Sequence, residues 1–434
     1  MHKRKKLKKI LLSFSVFVLF MFPISVTYSE HKQKHPVNKE IINFILNNFK
    51  KNSHVTLKEY ELNRQWVFTE LDIHDEETYP ITINVLASLK KMPEKIVYMI
   101  APPGFNFQFN YFSNSDKSIA RYMMDNDYLV IGITFRENNL PPETNEVFLK
   151  DWGLKKHRLD IRKIVTTINK IIKLPYDMLG QAASAVCVLD YAASYSDNLD
   201  TIILLDTDSF DPSIQPEKVQ YANMTYSALN QIMDGGTYAD PFVINLQNLI
   251  HTALLYPGMD SGQSREFMGL PGNFTVNGLV HLALIYTTYM AGIHTPITGL
   301  PGEWVMLQGV SAGYYNFAFD PAQDTFGLNN ISLPVVDAAT LLNGSGITPI
   351  AINRDLHALL SLNGQYTINW KGIKEKVIMV NGQYSSGNQT YYGTLIQNAG
   401  NNDVSITVIP GYAYLDLLLG ENAQTDVWPY FIND

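Results

Sequence analysis

Residues 178–186 read MLGQAASAV. Met178 and Leu179 end a short run that starts at Tyr176, Gly180 stops it, and from Ala183 the chain continues as ASAVCVLDYAASY, a helical pattern. A strand that breaks at glycine and enters a helix with no spacer is a sharp βα elbow. The residue at its tip, Ala182, carries only a methyl group.

The same unit recurs on both sides of this elbow. Before it come KIVYMIAPPG, the helix SIARYMMDND, the strand YLVIGITF and the helix LKKHRLDIRKIVTTINKII; after it comes the strand TIILLDTDS. Further upstream, WVFTELDI and TYPITINVLASL are β-rich. Strands apolar on both faces that alternate with helices imply βαβ crossovers. The predicted fold class is therefore α/β, with a doubly wound, mostly parallel sheet. After Asp211 the rhythm gives way to Gly-, Pro- and Asn-rich loops and apolar helices such as LVHLALIYTTYMAGIH. The tetrapeptide GLPG begins at Gly269 and again at Gly299, too short a match to establish a repeat. The α/β pattern returns with KEKVIMVNG, a helix around YYGTLIQNAG, the strand VSITVIPG and the amphipathic end DVWPYFI. One sheet domain, 61–210 and 371–434, is thus expected to be split by a largely helical cap insertion, 211–370, lying over the carboxyl ends of the strands.

The first nine residues, MHKRKKLKK, precede the apolar run ILLSFSVFVLFMFPISVTYS, so residues 1–29 read as an export signal, cleaved or retained as an anchor. The rest of the chain is then secreted or extracytoplasmic, touching the membrane through this segment if it is uncleaved. Residues 30–60, polar apart from the patch IINFILNNF, read as a mobile arm or docking helix. A formal net charge of −8, with no basic run after the first nine residues, gives no electrostatic basis for nucleic-acid binding. The single cysteine, Cys187, excludes an internal disulfide, and its apolar helical setting reads as a buried inert thiol. Five Asn-x-Ser/Thr sequons, at Asn223, Asn273, Asn330, Asn343 and Asn388, matter where the host glycosylates exported proteins. Asp416 and the acidic stretches DIHDEE and DTDSFD match no calcium loop and read as solvated turns, so no metal and no cofactor is implied. His157, among Lys155, Lys156 and Arg158, reads as part of an exposed helix face without a role.

Four stretches carry a resemblance: APPGFNFQFNYF (101–112), DWGLKKHRLDIRKIV (151–165), MLGQAASA (178–185) and VIPGYAYLDLLLGENAQTDVW (408–428). In this order and spacing the chain resembles the α/β-hydrolase superfamily, in particular exported lipase- and esterase-like members with a cap domain. The likeness runs from about residue 64 to the end, the insertion excepted. It implies a Ser nucleophile at a Gly-x-Ser-x-Gly elbow, a His that takes its proton, an Asp or Glu that orients the His, and two backbone N–H groups that hold the oxyanion.

Mapped onto this chain, the nucleophile position is Ala182, the acid position falls near Ser385 in VNGQYSSG, and the base position is Tyr414, where relatives commonly have Gly-His-Leu-Asp. The last histidine of the sequence is His357, so no imidazole follows the final strand. The oxyanion scaffold, Gly104 and Phe105 with the Ala183 amide, looks retained. The resemblance thus implies a pocket for an acyl or carbonyl group without the machinery to cut it: a non-catalytic binding protein for a lipid, an ester-like small molecule or a protein partner, or a remnant without a ligand. An alternative is a carboxylic-ester hydrolase whose nucleophile has moved to Ser184, with Asp206 or Asp208 as acid and His251, His281, His294 or His357 as base. Val186, bulky where Gly or Ala is wanted, and the helical position of Ser184 weigh against it, and His281 reads as a packed core residue. A third reading, an isomerase or lyase using Tyr414 as acid, is opposed by Asp416, since a nearby carboxylate raises a phenol's pKa.

Overall fold

The computed structural model describes residues 54–62, 65–114, 116–207, 209–289, 310–385 and 390–432, with the single position 47. The export signal, most of the polar arm, Asp208, His294, the GLPG at Gly299 and the sequon at Asn388 lie outside the described residues. The central sheet has nine strands: β1 (His54–Leu62), β2 (Trp66–His74), β3 (Ile81–Ser88), β4 (Lys95–Ile100), β5 (Tyr128–Thr134), β6 (Tyr176–Gln181), β7 (Leu199–Leu205), β8 (Lys376–Gly382) and β9 (Val404–Ile409). Their spatial order is β1-β2-β3-β5-β4-β6-β7-β8-β9. Pairing is antiparallel from β1 to β3 and between β3 and β5, and parallel from β5 through β4, β6, β7 and β8 to β9.

The sheet is covered on both faces because its strands are apolar on both. In β4, Ile96, Tyr98 and Ile100 join the core beneath α2 (Leu154–Ile171) and α3 (Ala183–Ala192). Val97 and Met99 alternate to the opposite core, closed by α1 (Ile119–Asp125) and by Trp428 and Phe431 of the C-terminal turn. Period-two alternation therefore sorts one strand into two hydrophobic layers.

Between β7 and β8 the insertion contributes α4 (Pro216–Asp234), α5 (Phe242–Leu255), α6 (Val276–Tyr289), α7 (Leu333–Thr340) and α8 (Ile350–Leu360), with three short antiparallel strand pairs. A further helix, α9 (Tyr391–Asn398), links β8 to β9. Among the described residues no helix is long and apolar enough to cross a membrane.

Several expectations need correction. The arm expected over 30–60 gives way at His54 to β1, an edge strand whose exposed Thr56, Leu57, Lys58 and Glu59 show no inward-outward alternation. His157 is 2% exposed: Nδ1 lies 2.8 Å from the Gly153 carbonyl and Nε2 3.1 Å from Glu137. Burial disfavours its charged form, but Glu137 outweighs this and holds the imidazole above its ordinary pKa. Asp416, expected in a solvated turn, is fully buried and accepts four hydrogen bonds described below.

Asp75 of DIHDEE is likewise drawn into the protein. Arg136, 1% exposed, donates to both Asp75 oxygens at 2.7 and 2.9 Å and to both Asp160 oxygens at 2.9 and 3.0 Å, and Lys163 also pairs with Asp75. Burial alone would raise the Asp75 carboxyl, but Arg136, Lys163 and the Glu77 amide hold it well below the usual carboxylate range. Its folded pKa being depressed, the stabilisation is present above the unfolded value of about 3.9 and is lost as pH falls toward the folded value. In thermal melts the midpoint is expected to drop below about pH 4, and Asp75→Asn to flatten that drop while lowering stability at neutral pH. An acid limb as steep in the variant as in the parent would remove Asp75 as its source.

Candidate functional site

The elbow is built from β6, Ala182 and α3. Ala182 takes φ 48°, ψ −120°, a conformation that costs an L-residue roughly 1–3 kcal/mol. Its amide is held by the Leu205 carbonyl of β7 at 3.0 Å, and its own carbonyl accepts the Ala185 amide at 3.0 Å. Gly180 lets the turn close: a Cβ there would stand 2.6 Å from the Ser184 oxygen and 2.8 Å from the Ala185 nitrogen. Ser184 locks the inside of the turn. Its hydroxyl donates to the Gln181 carbonyl and accepts the Gln181 amide, both at 2.8 Å, and the side chain is fully buried.

Above the elbow lies a cavity of about 400 Å³. Ala182, Ala183 and Tyr414 form its floor, and α4, α5 and α8 of the insertion supply much of its wall, through Leu229, Phe242, Leu246, Leu356 and Leu360. Ala183 opens α3, so its N–H has no partner within the helix and stands at the positive end of the helix dipole.

The loop after β4 departs from expectation. Pro102-Pro103-Gly104-Phe105 has the signature of a type II turn, with proline second and Gly104 third at φ +81°. The Phe105 amide closes that turn on the Pro102 carbonyl at 2.9 Å, so Phe105 is not an oxyanion donor. Gly104 and Ala183 are the amides of the expected set that the turn does not use. Asn343 clamps the loop from the insertion, its Nδ2 donating to the Gly104 carbonyl at 3.0 Å and its Oδ1 accepting the Asn106 amide at 2.9 Å. Asn330 is also engaged, donating to Gly411 O at 2.7 Å, so neither of these two sequons presents a free amide nitrogen.

Tyr414, expected at the base position, accepts Gln181 Nε2 on its carbonyl at 2.9 Å. Burial, then Tyr111 and Asp206 nearby, push its hydroxyl above the ordinary phenol pKa, so it stays protonated at neutral pH. Asp206 follows β7 at φ 47° and is fully buried. The loop that carries Tyr414 is fixed by Asp416, which accepts Ser311 Oγ at 2.6 Å, the Ala312 amide at 2.8 Å, and Asn330 Nδ2 and the Ala413 amide at 2.9 Å. The Leu415 amide also donates to the Val310 carbonyl at 2.7 Å.

The structure thus brings Ala182, Ala183, Phe105, Tyr414 and His357 to one cavity, while Ser184 and Ser385 are buried and are not among its described lining residues. His251 stands 3.3 Å from Asp337, and His281 is packed against Phe326 with Nδ1 2.8 Å from the Asn277 carbonyl. His357 on α8 lines the cavity, and burial lowers its pKa to about 4. Sequence reasoning missed the Asn343 clamp and the burial of His157. The second was readable, since His157, Ile161, Ile164 and Ile168 are spaced for one helix face.

No family model matches the chain, and no curated protein matches it. Among solved structures, a lipase candidate from Sulfolobus solfataricus aligns with a TM-score of 0.57 at 15% identity, over 87% of this chain and 97% of that one. A carboxyl esterase from Bacillus coagulans aligns with a TM-score of 0.45 at 14% identity, over 80% and 91%. Strand order, flanking helices and the first of these likenesses agree: the chain has the α/β-hydrolase fold.

Proposed function

We propose that this protein is a non-catalytic α/β-hydrolase-fold protein that binds a lipid or ester-like molecule in the cavity above the elbow, with the insertion acting as its cap. The observation that carries the reading is Ala182, a methyl group in the strained tip conformation that borders the cavity. A methyl has no lone pair with which to attack a carbonyl, and Tyr414, a protonated phenol on the same floor, is a poor proton acceptor. The displaced alternative is disfavoured because Ser184 Oγ is engaged twice by the Gln181 backbone inside the elbow. Residues 1–29 support export of the chain.

Purified protein incubated with p-nitrophenyl esters of graded chain length, or with a fluorophosphonate probe, is expected to give no turnover and no label. Labelling that disappears in Ser184→Ala would overturn this reading. Mass spectrometry of extracts from protein purified out of its host is expected to release a retained lipid.

A further inference from the structure

Within the cavity one polar group stands out. His357 lies on the cavity wall beside Leu356 and Leu360, and its Nδ1 is buried without a hydrogen-bond partner among the described residues. A buried polar atom without a partner destabilises the protein that carries it, and native proteins hold few of them. Orphaned buried N–H groups are rarer than orphaned acceptors. The stable neutral tautomer therefore keeps the lone pair on Nδ1 and the proton on Nε2, which makes His357 a hydrogen-bond donor to whatever fills the cavity.

The charge of the lining narrows the class of ligand. Among the described lining residues there is no lysine or arginine, and the one carboxylate is Asp240. Burial keeps His357 uncharged at neutral pH. An anionic head group would lose its hydration and meet no cation, a large penalty in an apolar site. An ester carbonyl meets none of that cost and accepts the donor that His357 offers. A volume of about 400 Å³ stands at the small end of the range for ligand pockets, roughly 300–1,000 Å³, which favours one chain over two.

We propose that His357 is the recognition residue of this cavity, donating Nε2–H to the carbonyl oxygen of an uncharged single-chain ester and discriminating against the corresponding carboxylate. The inference rests on the reading of the cavity as a non-catalytic binding site.

Calorimetric titration of the whole protein at neutral pH with methyl laurate, undecyl methyl ketone, laurate and dodecane tests it. Ester and ketone are expected to bind at least about tenfold tighter than laurate or dodecane. His357→Leu is expected to reduce ester and ketone to the affinity of dodecane, leave dodecane binding unchanged, and raise the melting temperature of the ligand-free protein. His357→Gln, which retains an N–H donor, is expected to recover part of the preference; unchanged dodecane binding reports an intact cavity in each variant. Laurate binding as tightly as the ester, or a His357→Leu variant that keeps the preference, would overturn the proposal. Hydrolysis of methyl laurate would instead overturn the non-catalytic reading, while the ketone, which cannot be cleaved, still reports on His357. If none of the four binds, both fall.

Discussion

Ala182→Ser combined with Tyr414→His is expected to introduce labelling by a fluorophosphonate probe that the parent, if non-catalytic as proposed, does not show. The elbow already imposes φ 48° on residue 182, so a serine there meets the same backbone strain as the alanine and places its hydroxyl on the cavity side. Ala182→Ser alone should react slowly, because a neutral alcohol lacks a proton acceptor. Adding an imidazole at position 414 supplies one, and Asp206, which acts electrostatically on the Tyr414 hydroxyl, would favour its charged form. General-base assistance contributes about 10²–10⁴-fold, and that is the expected ratio of labelling rates between the double and the single variant. Ala182→Ser with Tyr414→Phe serves as the control for altered packing. A double variant no faster than Ala182→Ser would mean that position 414 is not where a base could stand.

The largest effect on stability is expected from Arg136→Leu. This guanidinium bridges Asp75 and Asp160 through paired hydrogen bonds while almost wholly out of water. Removing it takes both paired hydrogen bonds from the buried Asp160 and leaves Asp75 with Lys163, and breaking a buried pair in this way costs about 3–5 kcal/mol. Denaturant unfolding of parent and variant measures it. The mechanism has its own check: Asp75→Asn and Asp160→Asn added to Arg136→Leu should restore part of the loss, because the damage lies in the abandoned charges. A loss below about 1 kcal/mol, typical of an exposed pair, would contradict the placement of this network inside the protein.

The parts of the fold that were readable in the sequence are those where burial and chemistry coincide. β4 and β8 are largely apolar runs that end in a loop or turn, and Gly180 sits where backbone meets backbone, so pattern and structure agree. β1 was illegible because an edge strand exposed along Thr56–Glu59 carries no hydrophobic alternation, and its partner is chosen by tertiary pairing. His157 misled through its neighbours Lys155, Lys156 and Arg158, although the three isoleucines on its own face pointed inward. Of the residues lining the cavity, Ala182 and Tyr414 were singled out by their position in the chain. The engagement of the Phe105 amide was available in Pro-Pro-Gly-Phe, whose turn geometry favours that bond. The walls from α4, α5 and α8 were not, since nothing local determines which apolar helix of an insertion faces a distant elbow.

Asp416 carries a last consequence. Its carboxylate gathers Ser311, Ala312, Asn330 and Ala413, and none of these bonds involves the side chain at 414. The course of that loop is therefore guaranteed by a neighbour, and the residue at its end is at liberty to change in kind while keeping its address. A designer could exchange it many times over and still know where each replacement would sit.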